Sequence, residues 1–373
     1  MVQLFLKAGR VPRHTAEPSA DEGVLPTLLV LLLVCAIGVA AAPKKTPAAP
    51  DVPGLAMDGG RRLTFERSFG LESELKPKRS LLAKFVDLVA GAPDLHYLVR
   101  PYSVAVDSHD RAIVADPGAM GIHIVDFGSQ KYKFVSHREG KDELRTPQCV
   151  AVDKRDNIYV TDSEAGKVFV FGPTGKFQRT IGSLKGGEGF FKRPTGIAID
   201  SDAQRIYVTD TWRDKIFVLD MSGTVLTSIG KRGTGDGEFN FPTELRLAGD
   251  DLLVVDSMNF RVQALTRAGS FRYAIGRVGD EKGDFFRPKG LGIDSEGHIY
   301  VADGFHKLVQ VFNERGRLLY YFGYAGTAAQ PLVAPAGLFI DRNDRIFVVD
   351  SITRRLQVFH YYGAALPVPG GTR

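Results

Sequence analysis

The sequence predicts an all-β fold, a six-bladed β-propeller, and three observations carry that prediction. One motif occurs six times, at intervals of 46 to 48 residues. Each copy contains short runs rich in Val, Ile, Tyr and Phe, separated by turns rich in Gly, Asp and Asn. The second run of each copy ends on an aspartate, and these are Asp116, Asp162, Asp210, Asp256, Asp303 and Asp350. Such a period leaves room for four short strands but for no helix of about ten residues, which is typical of a propeller blade.

The composition sets limits on the function. A 373-residue chain with 44% hydrophobic and 24% charged residues is that of a globular protein. The net charge of +5 is too small to indicate nucleic-acid binding without a basic patch. Two cysteines exclude a disulfide scaffold and a Cys-rich zinc module, and the absence of CxxCH excludes covalently attached c-type haem. We therefore expect no cofactor.

Residues 1–42 are predicted to be a signal peptide or a membrane anchor. Within them, residues 24–42 are uncharged, and as a helix they would span about 28 Å, close to the roughly 30 Å hydrocarbon core of a bilayer. Residues 39–41 resemble a signal cleavage site, but the long acidic stretch before the apolar run favours an uncleaved anchor. Lipid attachment at Cys35 is a third interpretation. All three place the repeats outside the cytoplasm, in the periplasm or cell envelope.

Around the repeats the sequence predicts several smaller elements. Residues 43–62 are a Pro/Ala-rich linker, and residues 63–363 form the propeller. The sixth copy lacks a clear fourth strand, so residues 63–70 are predicted to supply it and to close the ring with both chain ends. Residues 80–90 have helical apolar spacing and form either a plug on the propeller rim or a helix that docks a partner. Residues 364–373 are a tail.

The motifs resemble those of a known repeat family. The stretches RPTGIAID with IYVTD, TPQCVAVDKRDNIYVTDS, and RPKGLGIDSEGHIYVAD look like NHL repeats, and the resemblance covers about residues 63–363. It implies a six-bladed propeller whose four strands per blade, a to d, run from the axis outward. More narrowly, the chain resembles exported bacterial NHL proteins found alongside multihaem cytochromes. These motifs are structural and name no ligand.

The repeated aspartates are expected to be structural. Each stands before a tight turn, where a carboxylate can accept backbone N–H groups or pair with a following basic residue such as Lys167 or Arg261. Some propellers of similar build are lyases or hydrolases with a metal in the central funnel, which requires about three converging ligands. The eight histidines are scattered over different blades and both faces. We therefore expect no metal site, and a metal-dependent lyase or hydrolase is the alternative function.

Inside the predicted channel the fourth copy breaks the pattern. Five copies place mostly small residues on the inner strand, but the fourth places Glu244 and Arg246 there, and the sixth places the bulky Phe339. Opposite charges two residues apart on one strand lie side by side. They either form an ion pair that seals the channel or anchor a ligand there.

One face of the propeller is the other candidate site. The loops between strands b and c, and between successive blades, carry basic residues interleaved with aromatic ones. Trp and Arg dominate the binding energy of many protein interfaces. The predicted binding residues of this loop face are Trp212, Arg213, Phe260, Arg261, Phe305 and Arg355. A solvated mixed-charge surface is the competing interpretation.

These observations predict an extracytoplasmic propeller that serves as a binding scaffold for a protein or polymer, and not an enzyme. An exported redox protein is one candidate partner. Nucleic acid is excluded because export would separate the chain from it, and the N-terminal segment is expected to interact with the membrane.

Overall fold

A computed structural model describes residues 55–75, 96–139 and 142–363, which all belong to one compact unit, Pro50–Arg373. The predicted signal or anchor, most of the predicted linker, the helix at 80–90 and the tail at 364–373 lie outside the described residues. No helix in the described part of the chain is long and apolar enough to cross a membrane.

Two strands precede the first blade. They are β1, Leu55–Ala56, and β2, Arg62–Phe69. The strands of the first three blades are rich in β-branched and aromatic residues and are joined by tight turns. From the axis outward, the first blade contains β3 Ser103–Val106, β4 Ala112–Asp116, β5 Gly121–Asp126 and β6 Lys131–Val135. After a small hairpin of β7 Arg138–Glu139 and β8 Asp142–Glu143, the second blade contains β9 Pro147–Val152, β10 Ile158–Asp162, β11 Lys167–Phe171 and β12 Phe177–Ile181. The third blade contains β13 Pro194–Asp200, β14 Arg205–Asp210, β15 Lys215–Asp220 and β16 Val225–Ile229.

The last three blades repeat this order. The fourth blade contains β17 Pro242–Ala248, β18 Asp251–Asp256, β19 Arg261–Thr266 and β20 Phe271–Ile275. The fifth contains β21 Pro288–Ile293, β22 Ile299–Asp303, β23 Leu308–Phe312 and β24 Leu318–Phe322. The sixth contains β25 Pro335–Ile340, β26 Arg345–Asp350 and β27 Arg355–Tyr362. Every pairing within a blade is antiparallel. The predicted all-β six-bladed propeller is therefore confirmed.

The sixth blade takes its outer strand from the start of the described chain. β2 pairs antiparallel with β27, with Leu63 opposite Tyr361 and Phe69 opposite Leu356, and β1 adds a fifth strand outside it. The first and last strands of the described chain thus share one sheet, and the side of β27 that would otherwise be an open edge is covered.

The inner strands form a closed ring, and a core lies between each pair of neighbouring blades. β3 contacts β9, and the contacts continue through β13, β17, β21 and β25 back to β3. Gly196 shows why these strands carry small residues, since a Cβ there would lie 2.9 Å from the carbonyl oxygen of Thr243. The cores are apolar; the one between the last and first blades contains Phe69, Val104 and Val358. A blade therefore buries its apolar surface against its neighbours.

The six repeated aspartates hold the loops of the face described below. All are fully buried. Asp162 accepts the backbone N–H groups of Arg145 and Thr146 before its blade and of Glu164 and Ala165 in the turn after it. These contacts are those of a carboxylate that stabilises turns, which is the role expected for the aspartates from the sequence. Of the basic residues expected to pair with them, Arg261 bonds to Asp256, whereas the Lys167 amine lies against Asp142.

Candidate functional site

The interior of the channel is occupied by a closed polar cluster. Arg246 Nη1 donates to Glu244 Oε1 at 2.8 Å, and Arg246 Nη2 reaches across to the carbonyl oxygen of Leu338 at 3.1 Å. The thiol of Cys149 lies 3.5 Å from Glu244 Oε1, and the hydroxyl of Ser103 donates to its sulfur at 3.3 Å. Glu244 is buried, and so is Cys149. Of the two interpretations, this geometry fits the ion pair that seals the channel.

Burial controls the titration of this cluster. It raises the pKa of the Glu244 carboxyl, although Arg246 opposes the shift. Burial, followed by the charge of Glu244, raises the pKa of the Cys149 thiol to about 12. A thiol with such a pKa is not a nucleophile near neutral pH. The channel interior therefore offers structural charges rather than reactive groups.

The three arginines predicted to bind a partner are engaged within the protein. Arg213 Nη1 donates to the Phe190 carbonyl at 2.9 Å and lies 3.3 Å from Asp210. Arg261 donates from Nε to Asp256 and from Nη2 to the carbonyls of Gly235 and Glu238. Arg355 donates to Glu74 at 3.1 Å. Their donors are used to hold loops, so they have little left for an external partner.

Two of the predicted aromatic residues, Phe260 and Phe305, in contrast line a cavity over the channel axis, whereas Trp212 does not line it. The Phe305 ring lies 4.4 Å from that of Phe286, which lies 5.9 Å from that of Phe260. Met258, Phe241 and Tyr102 also line this cavity of about 600 Å³. Since Tyr102 comes from the first blade and Phe241 from the opposite fourth blade, the cavity can lie only where those blades meet, at the axis.

Much of this surface is apolar and exposed. The side chains of Trp212, Phe286 and Phe305 are 57%, 48% and 50% exposed. Further exposed apolar residues stand on the same loop face, namely Met120, Phe241, Met258 and Ile352. An exposed apolar surface of this kind, bordered by charge, marks an interaction site in soluble proteins. We call the cavity and this surround the aromatic mouth.

Four cations at the aromatic mouth have no ion-pair partner among the described residues. Arg100, Arg193 and Arg287 each directly precede a proline that begins an inner strand or lies just before one, and they belong to the first, third and fifth blades. Arg193 lies over the Trp212 ring at 5.4 Å, and Lys289 lies over the Tyr102 ring at 5.5 Å. Burial raises the pKa of the Tyr102 phenol to about 12, and the charges of Arg193 and Arg287 oppose this.

Sequence reasoning named Trp212, Phe260 and Phe305 as binding residues. It placed Arg193 and Arg287 on the loop face but did not select them as binding residues. The usable signal was the dipeptide Arg-Pro, which opens the inner strand in alternate copies. It also missed Phe241 and Phe286, which come from loops between blades, where the repeat gives no fixed register.

A possible metal-ligating group occurs elsewhere. In the described chain the carboxylates of Asp107 and Asp156 and the imidazole of His109 are close enough to share an ion. They lie in the turns between strands a and b, at the end of the blades opposite the aromatic mouth. Asp107 is already bonded to Arg111 at 2.6 Å, and Asp156 accepts both the N–H and the hydroxyl of Ser108. The same serine–aspartate contact joins Ser295 to Asp344, so the group is a repeated link between blades.

The chain matches a family model described as a 6-bladed beta-propeller, over residues 141–221 and 201–260. No curated protein matches it. Among solved structures, a streptogramin B lyase is 14% identical with a TM-score of 0.52, covering 71% of this chain and 94% of that one. A protein of unknown function from Bacteroides thetaiotaomicron is 15% identical with a TM-score of 0.57, covering 71% and 70%. Hydrazine synthase from Kuenenia stuttgartiensis is 13% identical with a TM-score of 0.51, covering 70% and 95%.

At these identities the likeness shows the fold alone, and it agrees with the propeller that the sequence predicts. It also corrects one expectation. The expectation that the chain is not an enzyme was wrong as an inference from the fold, because the similar structures include a lyase and a synthase.

Proposed function

We propose that this six-bladed β-propeller is an extracytoplasmic scaffold that binds an acidic protein or polymer partner at its aromatic mouth. The observation that carries the proposal is the conjunction of exposed aromatic side chains with cations that have no ion-pair partner among the described residues. Within a folded protein, charges that serve only structure are usually paired, as Arg213, Arg261 and Arg355 are here.

The aromatic residues supply the affinity in this proposal. Trp212, Phe286 and Phe305 are rigid, exposed side chains whose burial by a partner would remove a large apolar area from water. The Arg193 guanidinium lies 5.4 Å from the centre of the Trp212 ring, and this cation–π contact favours one position of the indole. A preorganised aromatic anchor of this kind loses little conformational entropy on binding.

The cations supply selection for negative charge. Arg100, Arg193 and Arg287 occupy alternate blades around the axis, and Arg287 also lines the cavity wall. Such an arrangement favours an acidic partner and accelerates its association at low ionic strength. An exported redox protein with an acidic docking surface would meet this requirement. The extracytoplasmic location rests on the apolar segment 24–42.

A metal-dependent lyase or hydrolase in the funnel has less support. The carboxylate of Glu244 is bonded to Arg246 and lies beside a thiol whose pKa is raised. No three described side chains in the channel could ligate one ion.

Site-specific crosslinking followed by titration tests the scaffold. A photoreactive phenylalanine analogue replaces Phe286 in the full chain, and the captured partner is identified, purified and titrated by calorimetry. We expect Trp212→Ala and Phe286→Ala each to weaken binding by about 2 kcal/mol or more. The matched control is Leu226→Ala, because Leu226 is 47% exposed but lies on the outer strand β16. If Leu226→Ala weakens binding as much as Phe286→Ala does, the aromatic mouth is not the binding surface.

A protease-protection assay on intact and permeabilised cells tests the location. We expect the propeller to be degraded once the outer barrier alone is opened. Protection until the cytoplasm is opened would contradict the extracytoplasmic part of the proposal.

A further inference from the structure

We propose that Lys289 is a nucleophilic amine, which forms an imine with a small carbonyl compound carrying an anionic group. This goes beyond partner binding and does not depend on it. The chemical class of ligand is an aldehyde or keto acid with an aromatic or aliphatic body.

The position of Lys289 separates it from the other lysines of the loop face. It follows Pro288 at the start of the inner strand β21, so its side chain begins at the channel axis. The side chain lines the aromatic cavity of about 600 Å³ and is partly buried, whereas Lys192 on the same face is exposed. Among the described residues its amine has no ion-pair partner. A small carbonyl ligand in this cavity would therefore be held next to an amine.

The electrostatic surroundings favour the neutral amine. Burial lowers the pKa of Lys289, and the positive charge of Arg287 lowers it further. The carboxylates of Asp350 and Asp303 oppose the shift, but both accept several backbone N–H groups of the adjacent loops. The Tyr102 ring also favours the ammonium form. The balance lowers the pKa, and a lysine desolvated beside another cation is the arrangement that activates amines for carbonyl chemistry.

The cavity wall provides the other groups that the reaction requires. The neutral amine adds to the carbonyl carbon to give a carbinolamine. Loss of water then gives the imine, so that one amine and one carbonyl yield one imine and one water. The Tyr102 phenol, whose pKa is raised to about 12, stays protonated and can donate a hydrogen bond to the departing hydroxyl. Arg287 can bind the ligand's anionic group, and Phe286 and Phe305 can pack against its body.

Reductive trapping tests the proposal without a known ligand. The full chain is incubated with 4-formylbenzoate, reduced with borohydride, and digested for peptide mass spectrometry at a series of pH values. We expect the Lys289 peptide to be labelled faster than the Lys192 peptide near neutral pH, because a lowered pKa leaves a larger fraction of the Lys289 amine neutral. Lys289→Met, which keeps the aliphatic volume, should remove this label and leave Lys192 labelling unchanged.

Two further comparisons make the result decisive. Benzaldehyde, which lacks the carboxylate, should label Lys289 more slowly than 4-formylbenzoate does. Arg287→Gln should reduce the preference for 4-formylbenzoate over benzaldehyde. A change in the pKa of the Lys289 amine alone would alter the labelling by both aldehydes equally and would leave this preference unchanged. Labelling of Lys289 no faster than Lys192 in the folded protein would overturn the nucleophile. Equal labelling by the two aldehydes would overturn the anionic ligand. Neither result tests the partner contacts of Trp212 and Arg193, because these two residues do not line the Lys289 cavity.

Discussion

The channel interior and the aromatic mouth carry similar charged residues but use them differently. Inside, Glu244 and Arg246 bond to each other at 2.8 Å, and Arg246 also bonds to a backbone carbonyl across the channel. At the mouth, the charged groups of Arg193 and Lys289 lie over aromatic rings and have no ion-pair partner among the described residues. The interior charges are therefore paired within the protein, and the charges at the mouth have no such partner among the described residues.

The difference follows from solvation. A charge removed from water must find a partner inside the protein, because the cost of burying it alone is several kcal/mol. A charge at a partly open surface keeps some of its water and can remain unpaired at little cost. Stability should thus respond to changes in the interior, and binding should respond to changes at the mouth.

Breaking the interior pair should have the largest effect. Arg246→Met leaves the Glu244 carboxylate buried without its partner, and we expect the free energy of unfolding to fall by about 3–5 kcal/mol. Urea denaturation of the full chain measures this. The control is the double variant Glu244→Gln with Arg246→Met, which removes both charges and should recover most of the loss. A single variant as stable as the wild type would show that the pair is not a structural element.

The pH dependence of Arg246→Met should have a definite sign. Burial raises the pKa of Glu244 above its ordinary value of 4.5, so the folded chain binds that proton more tightly than the unfolded chain. A raised carboxyl pKa contributes stability that is present at low pH and is lost as the pH rises through the folded value. Without Arg246 the pKa of Glu244 rises further, because Arg246 opposes the shift. The loss in free energy of unfolding that Arg246→Met causes should therefore become smaller as the pH falls towards 4.5. A deficit that is constant with pH would contradict this account.

Substitutions at two of the repeated aspartates should distinguish an effect on stability from an effect on binding. Asp303 and Asp162 each accept four backbone N–H groups, but those of Asp303 include the N–H groups of Phe286 and Phe305 in the aromatic mouth. We expect Asp303→Ala and Asp162→Ala each to cost about 2–3 kcal/mol of stability, because buried N–H groups lose their acceptor. Only Asp303→Ala should also weaken partner binding, measured by calorimetry below the unfolding temperature. Equal binding losses in the two variants would mean that the loops of the mouth do not set the site.

Substituting the cations of the mouth should affect binding more than stability. Arg193→Gln and Arg287→Gln should each change the free energy of unfolding by less than about 0.5 kcal/mol, because neither breaks an ion pair within the described chain. Each should weaken binding of an acidic partner by about 1 kcal/mol, chiefly through the association rate. Stopped-flow association at about 0.05 and 0.5 M salt measures this, since salt shortens the screening length. Arg261→Gln is the matched control, and it should reduce stability and leave the salt dependence of association unchanged.

The repeat made the fold predictable from the sequence. Six aspartates at a nearly constant interval fixed where each second strand ends, because the same turn follows each of them. The lack of a clear fourth strand after β27 pointed to a strand such as β2, since an open sheet edge needs a partner.

The site was less predictable, because it depends on contacts between distant segments. Arg355 reads as an exposed loop residue, yet it is paired with Glu74 from the opposite end of the described chain. Phe286 reads as a loop residue without a role, yet its ring lies 4.4 Å from that of Phe305. The residue type indicates which groups could bind, and only the folded chain decides which of them are already used.

The smallest expected effect concerns Cys149 in the channel interior and Lys289 at the mouth, and it is a difference in reactivity rather than in stability. Burial and the charge of Glu244 raise the pKa of Cys149 to about 12, so its thiolate is scarce near neutral pH. We expect no iodoacetamide labelling of the Cys149 peptide in the folded chain and full labelling after denaturation, scored by mass spectrometry at that peptide. Lys289 in the same preparation should react with 4-formylbenzoate. Because the inner strands that carry Cys149 and Lys289 belong to the same closed ring, a reactive Cys149 would mean that reagents reach the channel interior, and the comparison between a sealed interior and an open mouth would fail.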